Sequence, residues 1–148
     1  MYSQIEQQIL DIDWFFTNGV DVGFVASGGG KLPLSVANNY SQLDTLLTDY
    51  FMELPYNSDI IINANLSQIL GEQADDMYLD YFIEMTRKGL YAFDRTILNN
   101  FSATQIHLVA SPTVPLRLDE FPDQIKEILI KTRYEGDIIT ISNSNLVT

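Results

Sequence analysis

Two β-prone runs, residues 10–17 and 20–27, flank the dipeptide Asn18-Gly19. Asn-Gly most easily supplies the two positive φ angles of a type I′ turn, so the pattern predicts a hairpin. Leu10, Ile12 and Trp14 fall on one face of the first run, with Asp11, Asp13 and Phe15 on the other. The alternation is incomplete, and both faces are expected to be partly buried. Ahead of it, Ile5 and Ile9 lie four apart, as on one face of a short helix over 3–9.

Residues 27–33 read as a loop, because three glycines weaken either regular structure and Pro33 ends a strand. A helix begins near Ser41, whose hydroxyl suits a cap and whose capping box Asp44 completes. Leu43, Leu46, Leu47, Tyr50, Phe51 and Leu54 recur at spacings of three and four until Pro55. Residues 58–70 stay open, since Ile60-Ile61-Ile62 reads as strand and 65–70 as a short helix or turn. Residues 75–88 form a second helix, with Asp75 and Asp76 in its first turn, Arg87-Lys88 in its last and Gly89 as a left-handed stop. Strands follow at 90–96 and 105–110, interrupted afterwards by Pro112 and Pro115. A third helix is expected over 122–134, with Ile125, Ile128, Leu129 and Thr132 inward, then a last strand over 137–142 and a loose polar tail from Asn143. Val25-Ala26-Ser27 and Val109-Ala110-Ser111 both lead through proline to a helix, which hints at a duplicated unit. The order of elements predicts one α+β domain over 1–148: a mainly antiparallel sheet, an N-terminal β-hairpin and about three helices packed on it.

Composition narrows the function. With 46% hydrophobic and 19% charged residues the chain is far from the disordered class. It has no cysteine, hence no disulfide, thiolate nucleophile or thiolate metal site, which suits a reducing compartment. No basic leader opens the chain, so no export signal is expected, and no apolar run approaches the ~18 residues of a membrane helix. The expected location is the cytoplasm. Of the 20 acids, 12 lie in the first 80 residues beside one base, Lys31, while the remainder of the chain is nearly neutral. An excess so concentrated attracts a cationic partner and repels nucleic acid and anionic membrane.

Catalytic patterns are missing. A Walker loop needs Gly at Val25 and Ser or Thr at Leu32, and Pro33 stops a helix from starting at Lys31. Gly28, Gly29, Gly30 and Lys31 therefore read as a flexible or partner-contact loop; the alternative is a small-molecule-binding domain or enzyme whose site forms where this loop and the 110–118 loop approach each other. His107, the single histidine, reads as a structural strand residue, and neither a nucleophile elbow nor a Ca²⁺ loop is present. No metal, cofactor or enzymatic activity is expected. The carboxylates of Asp11 with Asp13, and of Asp76 with Asp80, share faces of a strand and a helix. Together with Asp75 they are the expected contacts for a cationic protein.

Asp11-Ile12-Asp13-Trp14-Phe15, the Asn18-Gly19 turn, Val22-Gly23-Phe24, Ser27-Gly28-Gly29 and Leu32-Pro33 resemble the opening of a group of small uncharacterised bacterial proteins. Residues 89–94, Leu108-Val109-Ala110-Ser111-Pro112 and Pro115-Leu116 look like the second half of that group. Such proteins are similar in size and setting to immunity proteins of bacterial toxin systems, which bind and block a toxin. The resemblance implies a non-catalytic inhibitor of a basic protein and carries over no catalytic residue.

Overall fold

The computed structural model describes residues 1–39, 41–71 and 75–148. The side chain of Ser41, and with it the expected cap, lies outside the described residues. The elements run α1 (Gln4–Ile9), β1 (Asp13–Thr17), β2 (Val22–Ala26), α2 (Leu34–Ala37), α3 (Ser41–Glu53), β3 (Ile60–Ile62), α4 (Leu66–Leu70), α5 (Asp76–Arg87), β4 (Tyr91–Arg95), β5 (Ile106–Pro112) and α6 (Asp123–Leu129). Short 3-10 turns stand at Leu118–Glu120, Ile138–Thr140 and Ser144–Leu146. The five strands form one sheet in the order β1-β2-β4-β5-β3, in which only the β2–β4 pair is parallel. The fold is thus α+β, with a mixed, mostly antiparallel sheet, an N-terminal hairpin and three longer helices, α3, α5 and α6.

Both faces of the sheet are covered. Phe15, Phe24, Ala92 and Val109 pack beneath α3, α5 and α6, against Phe51, Phe82, Met85 and Leu129. On the other face Trp14, Phe16, Val25, Phe93 and Ile106 lie under Leu32, Val36 and Ala37 and under Ile138, Ile141 and Val147 of the C-terminal segment. Phe15 and Phe16 of one strand therefore serve two cores, which explains the incomplete alternation of β1. The two Val-Ala-Ser segments place Val25 and Val109 in opposite cores.

The hairpin forms, but not through a type I′ turn. Thr17 pairs with Val22, leaving the four-residue connection 18–21. Among the described residues no non-glycine has positive φ, so Asn18 cannot fill the first position. Its side-chain Oδ1 instead accepts from the N–H groups of Val20 and Asp21 at 3.1 and 2.8 Å, an Asx-type turn. Gly19 alone is left-handed, at φ +95°. A Val there meets both that φ and Arg133, whose Nη2 stands 2.8 Å from where a Cβ would be. We expect Gly19→Val to lower stability by about 1 kcal/mol or more, read from the denaturation midpoint at unchanged slope. An unmoved midpoint would contradict it.

The C-terminal third departs most from the sequence pattern. Helix α6 ends at Leu129, five residues short of the expected end, because the chain beyond it bonds to β1: Thr17 N–H donates to Thr132 O at 3.1 Å and Tyr134 N–H to Thr17 O at 3.0 Å. Residues 137–142 are not a strand. Asp137 caps a 3-10 turn, and Ile138 and Ile141, three apart, both point into the core while Ile139 is 51% exposed. The tail is docked rather than loose, since Arg133 and Thr148 exchange backbone hydrogen bonds of 3.0 and 2.8 Å and Val147 is buried. In α1 the expected apolar face is the outer one: Ile5 and Ile9 are exposed, and Gln7 is the buried residue. Residues 58–70 contain both alternatives, the strand β3 and the helix α4.

Candidate functional site

Cross-strand register sets a row of side chains over the α5 face of the sheet. Asp13 pairs with Ala26, Ala26 with Asp94, and Asp94 with His107. Helix α5 is fixed above this row by its ends. The Asp75 carboxylate accepts from Tyr78 N–H at 2.8 Å, and Gly89 turns the chain back at φ +110°. Tyr78 and Tyr81, one turn apart on its inner side, reach down to the two acids. Tyr78 Oη donates to Asp94 Oδ2 at 2.5 Å, and Tyr81 Oη donates to Asp13 Oδ2 at 2.7 Å. Asp94 also accepts from the Arg95 backbone N–H at 2.8 Å.

Burial dominates the electrostatics of the row. It lifts Asp13 to about 6 against the opposing Tyr81 hydrogen bond, with the Asp11 charge adding to the rise. Burial likewise raises Asp94, while the bonds from Tyr78 and the Arg95 amide pull the other way. Both tyrosines are pushed up, first by burial and then by their carboxylate partners. His107 is shifted down by burial; its Nδ1 lies 2.9 Å from Thr96 Oγ1, and its buried Nε2 has no hydrogen-bond partner among the described residues. The Tyr–Asp pairs pin α5 to the sheet, leaving Asp13 as the member that opens to solvent.

Asp13 opens into a cleft of about 230 Å³ between the start of β1, the N-terminal segment and α3, lined by Tyr2, Asp11, Asp13, Asp44, Thr48 and Asp49 among others. Among the described residues four carboxylates and no basic side chain line it, while the N-terminal ammonium is near enough to act on Asp44. Burial raises Asp44, which also accepts from the Tyr2 hydroxyl, and Tyr2 itself is pushed up to about 12 by burial and that bond. The second oxygen of Asp44, Oδ2, is buried without a hydrogen-bond partner among the described residues. Asp13 and Asp44, both raised chiefly by burial, are stabilised by any cation that enters. Among the described residues no three acids or imidazoles converge as a metal site.

Comparison with protein-family models, with curated proteins and with solved structures gave no match.

The structure divides the acids singled out from sequence. Asp11 and Asp13 line the cleft, whereas Asp75, Asp76 and Asp80 stand exposed on α5 and are not among its lining residues. Asp44, which the sequence pattern assigns to a capping box, and Asp49, which flanks the apolar stripe of α3, line the other wall of the cleft. The signal lay in the polar run 44, 45, 48, 49, whose helical spacing puts one hydrophilic strip beside Leu43, Leu46 and Leu47. The Gly-rich loop spends its amides internally: Gly30 N–H donates to Ser27 O (2.9 Å), Lys31 N–H to Phe101 O (3.2 Å) and Leu32 N–H to Gln7 Oε1 (2.9 Å). Those three amides are turned away from any external anion. The pair of positive φ angles expected at Asn18-Gly19 occurs here instead, at Gly28 (+53°) and Gly29 (+76°). Among the described residues no helix is long and apolar enough to cross a membrane.

Proposed function

We propose that the protein is a non-catalytic, acidic interaction protein that binds a cationic protein, in the manner of a cytoplasmic immunity protein neutralising a basic toxin. The observation that carries this reading is the cleft bounded by Asp11, Asp13, Asp44 and Asp49, with no basic side chain among its described lining residues. A Lys or Arg side chain of the partner would enter it and offset carboxylates that the fold holds close together. The net charge of −12 supplies the long-range attraction, and Asp75, Asp76 and Asp80 extend that field over α5. Charge at a rim mainly speeds encounter, whereas a desolvated contact slows release.

Two variants that remove equal charge separate the cleft from the general field. Asp11→Asn with Asp49→Asn alters the cleft, and Asp76→Asn with Asp80→Asn alters exposed α5. Proteins captured from the native cell on the wild type are expected to be lost from the first variant at lower salt than from the second. Identical elution profiles would count against the cleft.

A further inference from the structure

On the opposite face of the sheet, beneath the Gly-rich loop, the fold buries a guanidinium that makes no salt bridge among the described residues, although the charge of neighbouring Asp94 acts on it. Arg95, the last residue of β4, is 5% exposed. One of its terminal nitrogens donates to Gly28 O at 3.3 Å and the other to Asn100 O. The third donor, Nε, is buried with no hydrogen-bond partner among the described residues. A desolvated guanidinium is costly to hold by carbonyls alone, and removing a polar hydrogen from water without a partner adds to that cost.

A cavity of about 10 Å³ adjoins Arg95, and Ser27, Lys31, Thr104, Ser144 and the indole of Trp14 also line it. That is roughly the room that one water-sized group requires. The Ser27 hydroxyl already accepts from the Ile12 N–H at 3.1 Å, which leaves its own O–H free in direction. Two of the chain's eight bases, Lys31 from the acidic first 80 residues and Arg95 from the nearly neutral remainder, therefore meet hydroxyl donors at one small cavity.

We infer that this cavity is a binding site for a small monovalent anion that inserts a single charged atom, a halide or one oxygen of a carboxylate. It accepts from Arg95 Nε and the hydroxyls, and Lys31 attracts it at the mouth. The size of the cavity rejects nucleotides and sugar phosphates. Gly30 lies against the guanidinium, where a Cβ would collide with Arg95, and Gly28 meets Arg95 through its carbonyl rather than through a cradle of amides. The site is independent of the acidic cleft, because Trp14 and Arg95 point to the sheet face opposite Asp13 and Asp94.

Trp14 is the single tryptophan and is 3% exposed, so bulk collisions reach it poorly, whereas a bound heavy halide would quench it. Bromide titrated at constant ionic strength is expected to quench Trp14 fluorescence with saturation, and chloride and formate to reverse the quenching competitively. Whichever of the two displaces better identifies the halide or the carboxylate as the preferred form. Lys31→Ala should weaken half-saturation by about three- to fivefold, as for an exposed charge, and Arg95→Met by more than about tenfold, as for a hydrogen bond to a buried charge. If Arg95→Met does not fold, Lys31→Ala decides alone. Linear or absent quenching of the wild type would mean that only water occupies the cavity, and saturation unchanged in the folded variants would place the anion elsewhere. Either result overturns the inference.

Discussion

Phe51→Ala is expected to destabilise the protein by about 3–5 kcal/mol, the range for deleting a buried aromatic ring. Phe51 is fully buried, stacks on Phe15 of β1 at 4.7 Å between ring centroids, and meets Phe121 edge-on at 5.7 Å and Tyr50 at 5.5 Å. It thus joins α3 to the hairpin and to the segment that leads into α6. The cavity left by alanine would be walled by three rings fixed on different elements, so little collapse can refill it. The same residue carries the end of α3, where Lys88 Nζ donates to Phe51 O at 2.8 Å and also to Met52 O, satisfying terminal carbonyls of the helix. Denaturant unfolding of the variant should show the midpoint falling by that amount at an unchanged slope. A loss under about 1 kcal/mol would mean that α3 is not docked through this ring.

The second large effect concerns pH. Asp13 is held at about 6 by burial, above its ordinary value of 3.8. Between those values the folded protein binds more protons than the unfolded chain, so stability rises as pH falls through the window, and the penalty is fully present above about 6. Asp94, Asp44 and Asp21 shift in the same direction, each chiefly through burial. His107 opposes them: burial lowers it, so below about pH 6.5 the unfolded chain takes up its proton first and stability is lost. Asp13→Asn keeps an oxygen to accept the Tyr81 hydroxyl and removes the charge. It should be more stable than the wild type at about pH 8, by about 1–2 kcal/mol after allowing for solvent at the open side of the carboxylate, and the gain should vanish near pH 4. A gain that is the same at both pH values would contradict the assignment of the shift to ionisation.

Local signals account for what the sequence made readable. Asn18-Gly19 between β-prone runs placed the hairpin, and the acids, bases and Gly89 around 75–89 placed α5, because caps and turns are decided by neighbouring residues. The detailed turn type escaped, since Asn18 bonds two later amides with its side chain instead of adopting positive φ. The end of α6 and the 3-10 turn at Ile138–Thr140 escaped for another reason. Thr132 and Tyr134 are drawn into backbone bonds with Thr17, more than a hundred residues earlier in the chain, and no local pattern announces such a partner. At the site, the acidic excess of the first 80 residues revealed the sign of the field, and the pairing of Asp11 with Asp13 revealed one wall of the cleft. Asp44 and Asp49 on the other wall, the tyrosine partners of Asp13 and Asp94, and the burial of Arg95 depend on which strands and helices meet.

We propose that the cleft, rather than total charge, receives the cationic partner. The most direct measurement is the association rate of the captured partner as salt is raised from low to physiological ionic strength, for the wild type and the two charge-matched variants. We expect a steep fall with salt in the wild type, a similar fall with a modestly reduced rate in Asp76→Asn/Asp80→Asn, and in Asp11→Asn/Asp49→Asn a reduced rate together with faster dissociation. A rate indifferent to salt, or two variants that behave alike in both association and dissociation, would contradict the account.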